Sequence, residues 1–240
     1  PPKYSLHLDE DVFINTMPCC IPKEDVFGVK VVSRYPNNKP TLDSQILLFS
    51  TTNGEIKAIA DGNWITAMRT GAVAAVSIDL LKNTNAKVYS FIGLGNTARA
   101  TLLCLLESNP NMEYKIKLLK YKGQEESFIK RFEFYDNIEF ELVESYREAI
   151  IDSDVIISSI TSAKSLIGKD SWFKNGVLVV PIHTRGFQNC DLFFDRVLAD
   201  DADHVKGFKY FNRFKNFCEV ADVLQKKMVG RESSSERIIV

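Results

Sequence analysis

Residues 88–98 read VYSFIGLGNTA, an apolar run followed by a turn with two glycines and then by a leucine-rich segment. A strand that turns through Gly-x-Gly into a helix is typical of a dinucleotide-binding unit. Gly93 permits the tight turn, Gly95 lets a pyrophosphate approach the backbone, and Ala98 allows the helix to pack closely on the strand. An ordinary glycine-rich turn has the same pattern and is the alternative. We expect NAD or NADP to be bound by Gly93, Gly95, Asn96, Thr97 and Ala98.

Strands and helices alternate in the sequence after this turn. The pattern predicts a helix at residues 96–106, and then strand, helix, strand, helix and three more strands at 114–121, 124–134, 138–143, 145–151, 154–159, 177–182 and 196–200. Such alternation is typical of a parallel, doubly wound sheet. The sequence therefore predicts an α/β protein with a Rossmann-type domain over residues 84–205.

The first part of the chain has a different pattern. Strands without intervening helices are predicted at residues 4–8, 28–33, 46–50 and 55–60, and Asn53-Gly54 predicts a type I′ hairpin. We therefore expect an antiparallel sheet or half-barrel in a domain of residues 1–64. A helix predicted at residues 65–81 forms a link at 65–83, and residues 206–240 are expected to return toward the first domain.

Composition points to a small-molecule partner. The 240 residues include 30 Lys and Arg against 31 Asp and Glu, a net charge of −1, so neither a nucleic-acid footprint nor a polybasic membrane patch is visible. We found no apolar run near the roughly 18 residues that span a bilayer and no signal peptide, and we expect a cytoplasmic protein. No cluster predicts a metal site. The chain begins without Met and ends on an apolar, strand-like run, so we expect missing segments on both sides.

The predicted second strand of the Rossmann-type domain ends without the acidic residue that usually binds the ribose 2′-hydroxyl of NAD. Lys120 and Lys122 stand there instead. Lysines suit a 2′-phosphate, which modestly favours NADP. Two solvated charges at a strand end are a nearly equal alternative.

Several blocks together resemble the ornithine cyclodeaminase/mu-crystallin family over essentially the whole chain. They are residues 28–37, 46–49, 54–62 and 65–72, the glycine turn, residues 154–162 and residues 219–231. The resemblance implies a homodimer in which the antiparallel part closes into a barrel across the two-fold axis. It also implies a substrate between barrel and Rossmann domain, and cofactor contacts from Thr70, Thr161 and Ser162.

In that family a lysine and arginines hold the substrate carboxylate, and the matching positions are Lys30 and Arg69. A guanidinium grips a carboxylate with two hydrogen bonds, and a lysine offers a point charge and proton transfer. Without the resemblance, a strand-surface lysine and a helix-face arginine would be the favoured interpretation. Lys3 replaces an arginine of the family, so two-point binding from that side is in doubt.

The loop after the predicted strand 177–182 departs from the cyclodeaminases, since His183 stands where they carry a catalytic aspartate. Imidazole exchanges protons near neutral pH, and this position follows the carboxyl end of a strand, where open α/β sheets bind ligands. A loop histidine bonded to the backbone is an equal alternative. Arg185 offers a further cation for the substrate carboxylate in place of what Lys3 lacks, and a phosphate-binding or structural role is an equal alternative.

Our leading hypothesis is an NAD(P)-dependent oxidoreductase that transfers hydride to or from the α-carbon of a small amino acid or cyclic imine. Lys30 and Arg69 would anchor the carboxylate and His183 would move the proton. The first alternative is an ornithine or lysine cyclodeaminase, which releases ammonia and regenerates its NAD in each cycle. The second is a protein that binds NAD(P)H without catalysis.

Overall fold

The computed structural model describes residues 2–9, 11–161, 163, 165–183, 186–187 and 192–240. The predicted site residues Ser162 and Arg185 lie outside these residues. The chain divides into two compact units, Pro1–Arg69 and Thr70–Val240, which we call unit 1 and unit 2.

Unit 1 contains a five-stranded antiparallel sheet whose strands follow chain order. They are β1 (Tyr4–His7), β2 (Phe13–Ile21), β3 (Val26–Arg34), β4 (Leu42–Phe49) and β5 (Ile56–Asp61). The sequence did not predict β2, because Pro18 cannot donate to a strand ladder and argues against a strand. Nevertheless β2 pairs with β3 over its full length.

The connection between β4 and β5 is not the type I′ turn that Asn53-Gly54 predicts. That turn requires positive φ at both central residues, and of the two only Gly54 has it, at 76°. The Ser50 N–H donates to the Glu55 carbonyl at 2.9 Å, so four residues form the loop. The Asp25 carboxylate accepts a hydrogen bond from the Ser50 hydroxyl at 3.0 Å and helps to hold this longer loop.

Unit 2 contains an eight-stranded sheet. Its strands are β6 (Val88–Ile92), β7 (Tyr114–Leu119), β8 (Ile138–Val143), β9 (Val155–Ser158), β10 (Leu178–Pro181), β11 (Arg196–Ala199), β12 (Cys218–Glu219) and β13 (Ile238–Ile239). All are parallel, in the order β12-β11-β13-β10-β9-β6-β7-β8. The helices are α1 (Asn63–Leu81, which begins in unit 1), α2 (Asn96–Ser108), α3 (Gln124–Lys130), α4 (Tyr146–Ile150), α5 (Ala202–Val205) and α6 (Val220–Leu224).

Apolar side chains lie on both faces of this parallel sheet, as expected where helices cover both sides. Phe91 on one face packs in a core with Ile78 of α1 and Leu102 of α2. Ile92 on the other face packs in a core with Ala149 of α4. The predicted fold class, a Rossmann-type parallel sheet together with an antiparallel sheet, is therefore confirmed.

The C-terminal segment, residues 206–240, contributes β12 and β13 to the sheet of unit 2. We expected a segment that returns toward the first domain, and strands of two residues are too short for a sequence pattern to show them. β13 lies between β10 and β11. The nearly buried Arg196 Nε donates to Glu236 Oε1 at 2.9 Å, and this ion pair ties the segment to β11.

The helix α1 corrects our reading that no segment is long and apolar enough to span a membrane. By length and composition, this one described helix passes that test. The core helix of a soluble protein passes it too, and Ala74, Ala75, Ile78 and Leu81 of α1 lie in the core of unit 2. Packing therefore accounts for the apolar residues on this side of α1, whereas Val73 and Val76 are exposed.

Candidate active-site and cofactor-binding residues

Lys30 lies in the central strand β3 of unit 1, where side chains alternate between the two faces of the sheet. It shares a face with Val32, which is paired with Ser44 of β4. The Ser44 hydroxyl is hydrogen-bonded to the Thr66 hydroxyl of α1 at 2.9 Å. Arg69 follows Thr66 by three residues, so the two lie on the same side of this helix. Arg69 is therefore placed beside the sheet face that bears Lys30.

Three predicted substrate-binding cations interact in unit 1. Burial, followed by the charges of Arg69 and then Lys3, lowers the pKa of Lys30 to about 8. Lys30 is half-buried, whereas Lys3 and Arg69 are exposed. A carboxylate placed among these groups would relieve their mutual repulsion, so the cluster suits an anionic ligand. We call Lys3, Lys30 and Arg69 the cation cluster.

The glycine turn after β6 in unit 2 combines a position that only glycine adopts without strain with an open one. Gly93 has φ of 89°, and a Cβ there would meet the Ile160 nitrogen and the Ser159 carbonyl carbon, each at 3.1 Å. Gly95 is exposed, and a Cβ there would meet no described atom within 4 Å. The helix α2 begins directly after Gly95, so its N–H groups and the space beside Gly95 fit the pyrophosphate of a dinucleotide.

The carboxyl ends of β6, β9 and β10 lie side by side in the sheet. The Ser159 N–H donates to the Ile92 carbonyl at 2.8 Å, and the Ile182 N–H donates to the Ser158 carbonyl at 2.9 Å. The chain runs from β6 to β7 and β8 on one side, and β9 lies on the other side of β6. Open α/β sheets bind ligands in the crevice formed at such a reversal.

Ser159 is a residue at this crevice that sequence reasoning missed. Its hydroxyl is buried and has no hydrogen-bond partner among the described residues. Buried hydroxyls are normally satisfied, so this one is suited to a ligand group. The serine pair at the end of an aliphatic strand was the signal that could have identified it.

The remaining predicted cofactor residues lie near this edge or beside α2. Thr161 follows β9 by three residues and is exposed, and Ala98 is fully buried in α2. Thr70 lies in α1 next to Gly71, where a Cβ would meet the backbone of Ala100 in α2 at 2.6 Å. The two helices therefore approach closely beside the start of α2.

His183 lies in the turn that follows β10 and is exposed. Since β10 neighbours β9, which neighbours β6, His183 and the glycine turn lie at the same edge of the sheet, two strands apart. Lys3, Lys30 and Arg69 belong to unit 1, and His183 and the dinucleotide residues belong to unit 2.

At the strand end of β7 one of the two lysines, Lys120, is paired with a carboxylate, and the other, Lys122, is exposed. Lys120 Nζ lies 2.5 Å from Glu144 Oε1, and Glu144 raises the pKa of Lys120. Lys122 has a positive φ of 53° and its ammonium lies 5.1 Å from the centre of the Tyr121 ring. Glu144 was not predicted as a site residue. It is the first residue after β8, and because β7 and β8 both have six residues, Glu144 lies beside Lys120, the first residue after β7.

Known proteins are similar to this chain in sequence and in fold. A model described as the ornithine cyclodeaminase/mu-crystallin family matches residues 1–240. Nodulation efficiency protein NfeD of Rhizobium meliloti is 26% identical, over 100% of this chain and 78% of its own. Ketimine reductase mu-crystallin of Mus musculus is 29% identical over 68% of this chain and 52% of its own, so the chain spans about half of that relative.

Among solved structures, the Delta(1)-pyrroline-2-carboxylate reductase of Thermococcus litoralis, in complex with NADH and L-proline, superimposes with a TM-score of 0.84. It covers 100% of this chain and 80% of its own, at 24% identity, which indicates a shared fold. The family match extends over the full sequence and confirms the membership predicted from the motifs. The chain belongs to the ornithine cyclodeaminase/mu-crystallin family.

Proposed function

We propose that this protein is an NAD(P)-dependent oxidoreductase that interconverts a cyclic imine carboxylate and the corresponding amino acid. The observation that carries this proposal is the cation cluster, in which burial and then the charges of Arg69 and Lys3 lower the pKa of Lys30 to about 8. A group of cations that repel each other is suited to a carboxylate. The open position at Gly95 and the buried hydroxyl of Ser159 support dinucleotide binding in unit 2.

The proposed reaction adds a hydride to the imine carbon and a proton to the imine nitrogen, or removes both in the reverse direction. A bound nicotinamide supplies or accepts the hydride. Arg69 and Lys30 hold the carboxylate and thereby orient the α-carbon, which contributes to the rate through positioning. His183, and Lys30 near its pKa of about 8, are the groups that exchange the proton on nitrogen.

The names of relatives favour an imine substrate. The mouse relative is a ketimine reductase, and the Thermococcus litoralis structure is that of a reductase of pyrroline-2-carboxylate with NADH and L-proline bound. The family resemblance implies that His183 occupies the loop position at which cyclodeaminases carry an aspartate. Both points favour a reductase over ammonia release.

A nicotinamide absorbance assay tests the proposal. Purified protein is mixed with pyrroline-2-carboxylate or piperideine-2-carboxylate and with NADH or NADPH, and the loss of reduced cofactor is followed. We expect net oxidation of the cofactor. Ammonia release from ornithine or lysine without net cofactor turnover would instead identify a cyclodeaminase, and cofactor binding without turnover on any of these compounds would identify a binding protein.

We further propose a homodimer formed through unit 1 and a cytoplasmic location. The edge strands β1 and β5 carry exposed apolar side chains, including Leu6 at 65% and Ile59 at 68% exposure. Exposed apolar residues on edge strands are typical of an interface. Light scattering should show a particle of twice the chain mass, and Leu6→Lys or Ile59→Lys should give the monomer. A monomeric wild-type protein would contradict the proposal.

A further inference from the structure

An ion pair joins the carboxyl ends of two neighbouring strands in unit 2. Lys120 directly follows β7, Glu144 directly follows β8, and their Nζ and Oε1 atoms lie 2.5 Å apart. The Lys120 N–H also donates to the Val143 carbonyl at 3.0 Å, so β7 and β8 end at the same position along the sheet. We call this the Lys120/Glu144 pair.

The position of this pair bears on the choice of cofactor. β7 is the second strand after the glycine turn, and in Rossmann-type units the end of that strand meets the ribose 2′ position of the dinucleotide. A carboxylate there accepts a hydrogen bond from the 2′-hydroxyl of NAD, whereas free cations attract the 2′-phosphate of NADP. This step rests on the proposed function.

Local contacts fix the backbone at Glu144. The Glu144 N–H donates to Glu148 Oε2 at 2.8 Å, and the Glu148 N–H donates to the Ser145 hydroxyl at 3.3 Å at the start of α4. The carboxyl oxygen that pairs with Lys120 is therefore carried by a short, hydrogen-bonded connection between β8 and α4. The fold therefore fixes the backbone at Glu144, and the exposed carboxylate reaches Lys120 from there.

A second carboxylate lies at the same strand end. Glu125 Oε2 accepts a hydrogen bond from the Tyr121 N–H at 3.1 Å, and the charge of Glu125 also acts on Lys120. Two lysines, Lys120 and Lys122, and two carboxylates, Glu144 and Glu125, thus lie at this strand end, and both carboxylates act on Lys120. A 2′-phosphate, with about two negative charges, would find no net positive charge here and would lie close to Glu144.

We propose that Glu144 is a specificity-determining residue that neutralises Lys120 and disfavours a 2′-phosphate, so that the protein binds NADH more tightly than NADPH. The carboxylate that the second strand lacks is supplied by the end of the third. The Lys120 ammonium is thereby paired with Glu144 and does not bind the cofactor.

The test compares dissociation constants of NADH and NADPH, measured by calorimetry at low ionic strength, for wild-type protein and Glu144→Gln. We expect the variant to bind NADPH roughly fivefold more tightly and NADH about as well as before, since solvent screens an exposed charge pair and keeps its effect small. Adding Lys120→Met to Glu144→Gln should abolish the gain for NADPH, because the uncovered ammonium causes it.

Glu139→Gln is the matched control. Glu139 pairs with Lys115 at 3.6 Å across the same two strands, at their amino ends. Its removal should leave both dissociation constants unchanged. If wild-type protein prefers NADPH, or if Glu144→Gln leaves the ratio of the two constants unchanged, the inference is wrong while the proposed function stands. If neither cofactor binds, the proposed function fails and this inference fails with it.

Discussion

Two lysines predicted to bind ligands have opposite electrostatic surroundings. Lys30 in unit 1 is half-buried and feels the like charges of Arg69 and Lys3, so its pKa falls to about 8. Lys120 in unit 2 is exposed and hydrogen-bonded to Glu144, so its pKa rises. An anionic ligand would therefore stabilise the charge of Lys30, whereas the charge of Lys120 is already compensated by the protein.

This contrast gives different expectations for the two regions. In the cation cluster, removal of one cation should weaken carboxylate binding, because the ligand is the opposing charge. At the end of β7, removal of the carboxylate should create a new affinity, as described for Glu144. Charge alone does not separate the two lysines, since both are cations at neutral pH.

The largest effect is expected from Arg69→Ala. Loss of a charge-assisted hydrogen bond to the substrate carboxylate should lower kcat/KM for a cyclic imine carboxylate about 100-fold. NADH affinity should persist, because the dinucleotide residues belong to unit 2. Steady-state absorbance kinetics measure the first quantity and calorimetry the second.

Lys57→Met is the control for this variant. Lys57 Nζ lies 2.9 Å from Asp25 Oδ2 in the same unit, so this variant removes a cation that lies outside the cation cluster. Equal losses of kcat/KM in both variants would show that the cation cluster has no special role in carboxylate binding.

The next effect is on pH dependence. The pKa of Lys30 is lowered to about 8, so its ammonium is present below pH 8 and is lost above it. Carboxylate affinity should therefore fall as pH rises through 8, by up to about tenfold per pH unit. Cyclopentanecarboxylate has no amine of its own that titrates, and calorimetry from pH 6.5 to 9.5 in the presence of NADH would show the fall.

Lys30→Arg keeps the positive charge over this whole range. Its affinity for cyclopentanecarboxylate should therefore be independent of pH. A wild-type affinity that is equally flat from pH 6.5 to 9.5 would mean that Lys30 does not contact the carboxylate.

A smaller effect separates the two glycines of the turn. At Gly93 φ is positive and an added Cβ would contact backbone atoms at 3.1 Å. Gly93→Ala should therefore lower the free energy of unfolding by about 1 to 3 kcal/mol. Gly95→Ala meets no described atom within 4 Å and should leave stability unchanged, while weakening NADH binding about tenfold by occupying the space for phosphate. Thermal unfolding and NADH titration of both variants test this contrast, and normal NADH binding by Gly95→Ala would contradict it.

The sequence predicted the parts of the fold that depend on local pattern. β8 at Ile138–Val143 matches its prediction residue for residue, and α2 begins at the predicted Asn96. The parts that it missed depend on pairing between distant segments. β2 contains Pro18, and β13 has two residues that gain stability only from the neighbouring β10 and β11.

The site divides in the same way. The motifs identified the glycine turn, and the family resemblance identified Lys30 and Arg69, but neither revealed the partner of Lys120. Lys120 and Glu144 are 24 residues apart in sequence. Only the in-register pairing of β7 with β8 brings the two side chains together.

The smallest effect is expected from Ser159→Ala. This variant tests whether the residue that follows β9 contacts the cofactor. The Ser159 hydroxyl is buried without a partner among the described residues, and such a group destabilises a protein. Its removal should leave the melting temperature unchanged or slightly higher, while NADH binds about fivefold more weakly if the hydroxyl donates to the cofactor. Ser158→Ala is the matched control, because its hydroxyl is also buried and unpartnered but lies within the strand. Equal NADH affinities in the two variants would mean that Ser159 does not contact the dinucleotide, whereas a loss confined to Ser159→Ala would place the cofactor against the same strand end that packs on Gly93.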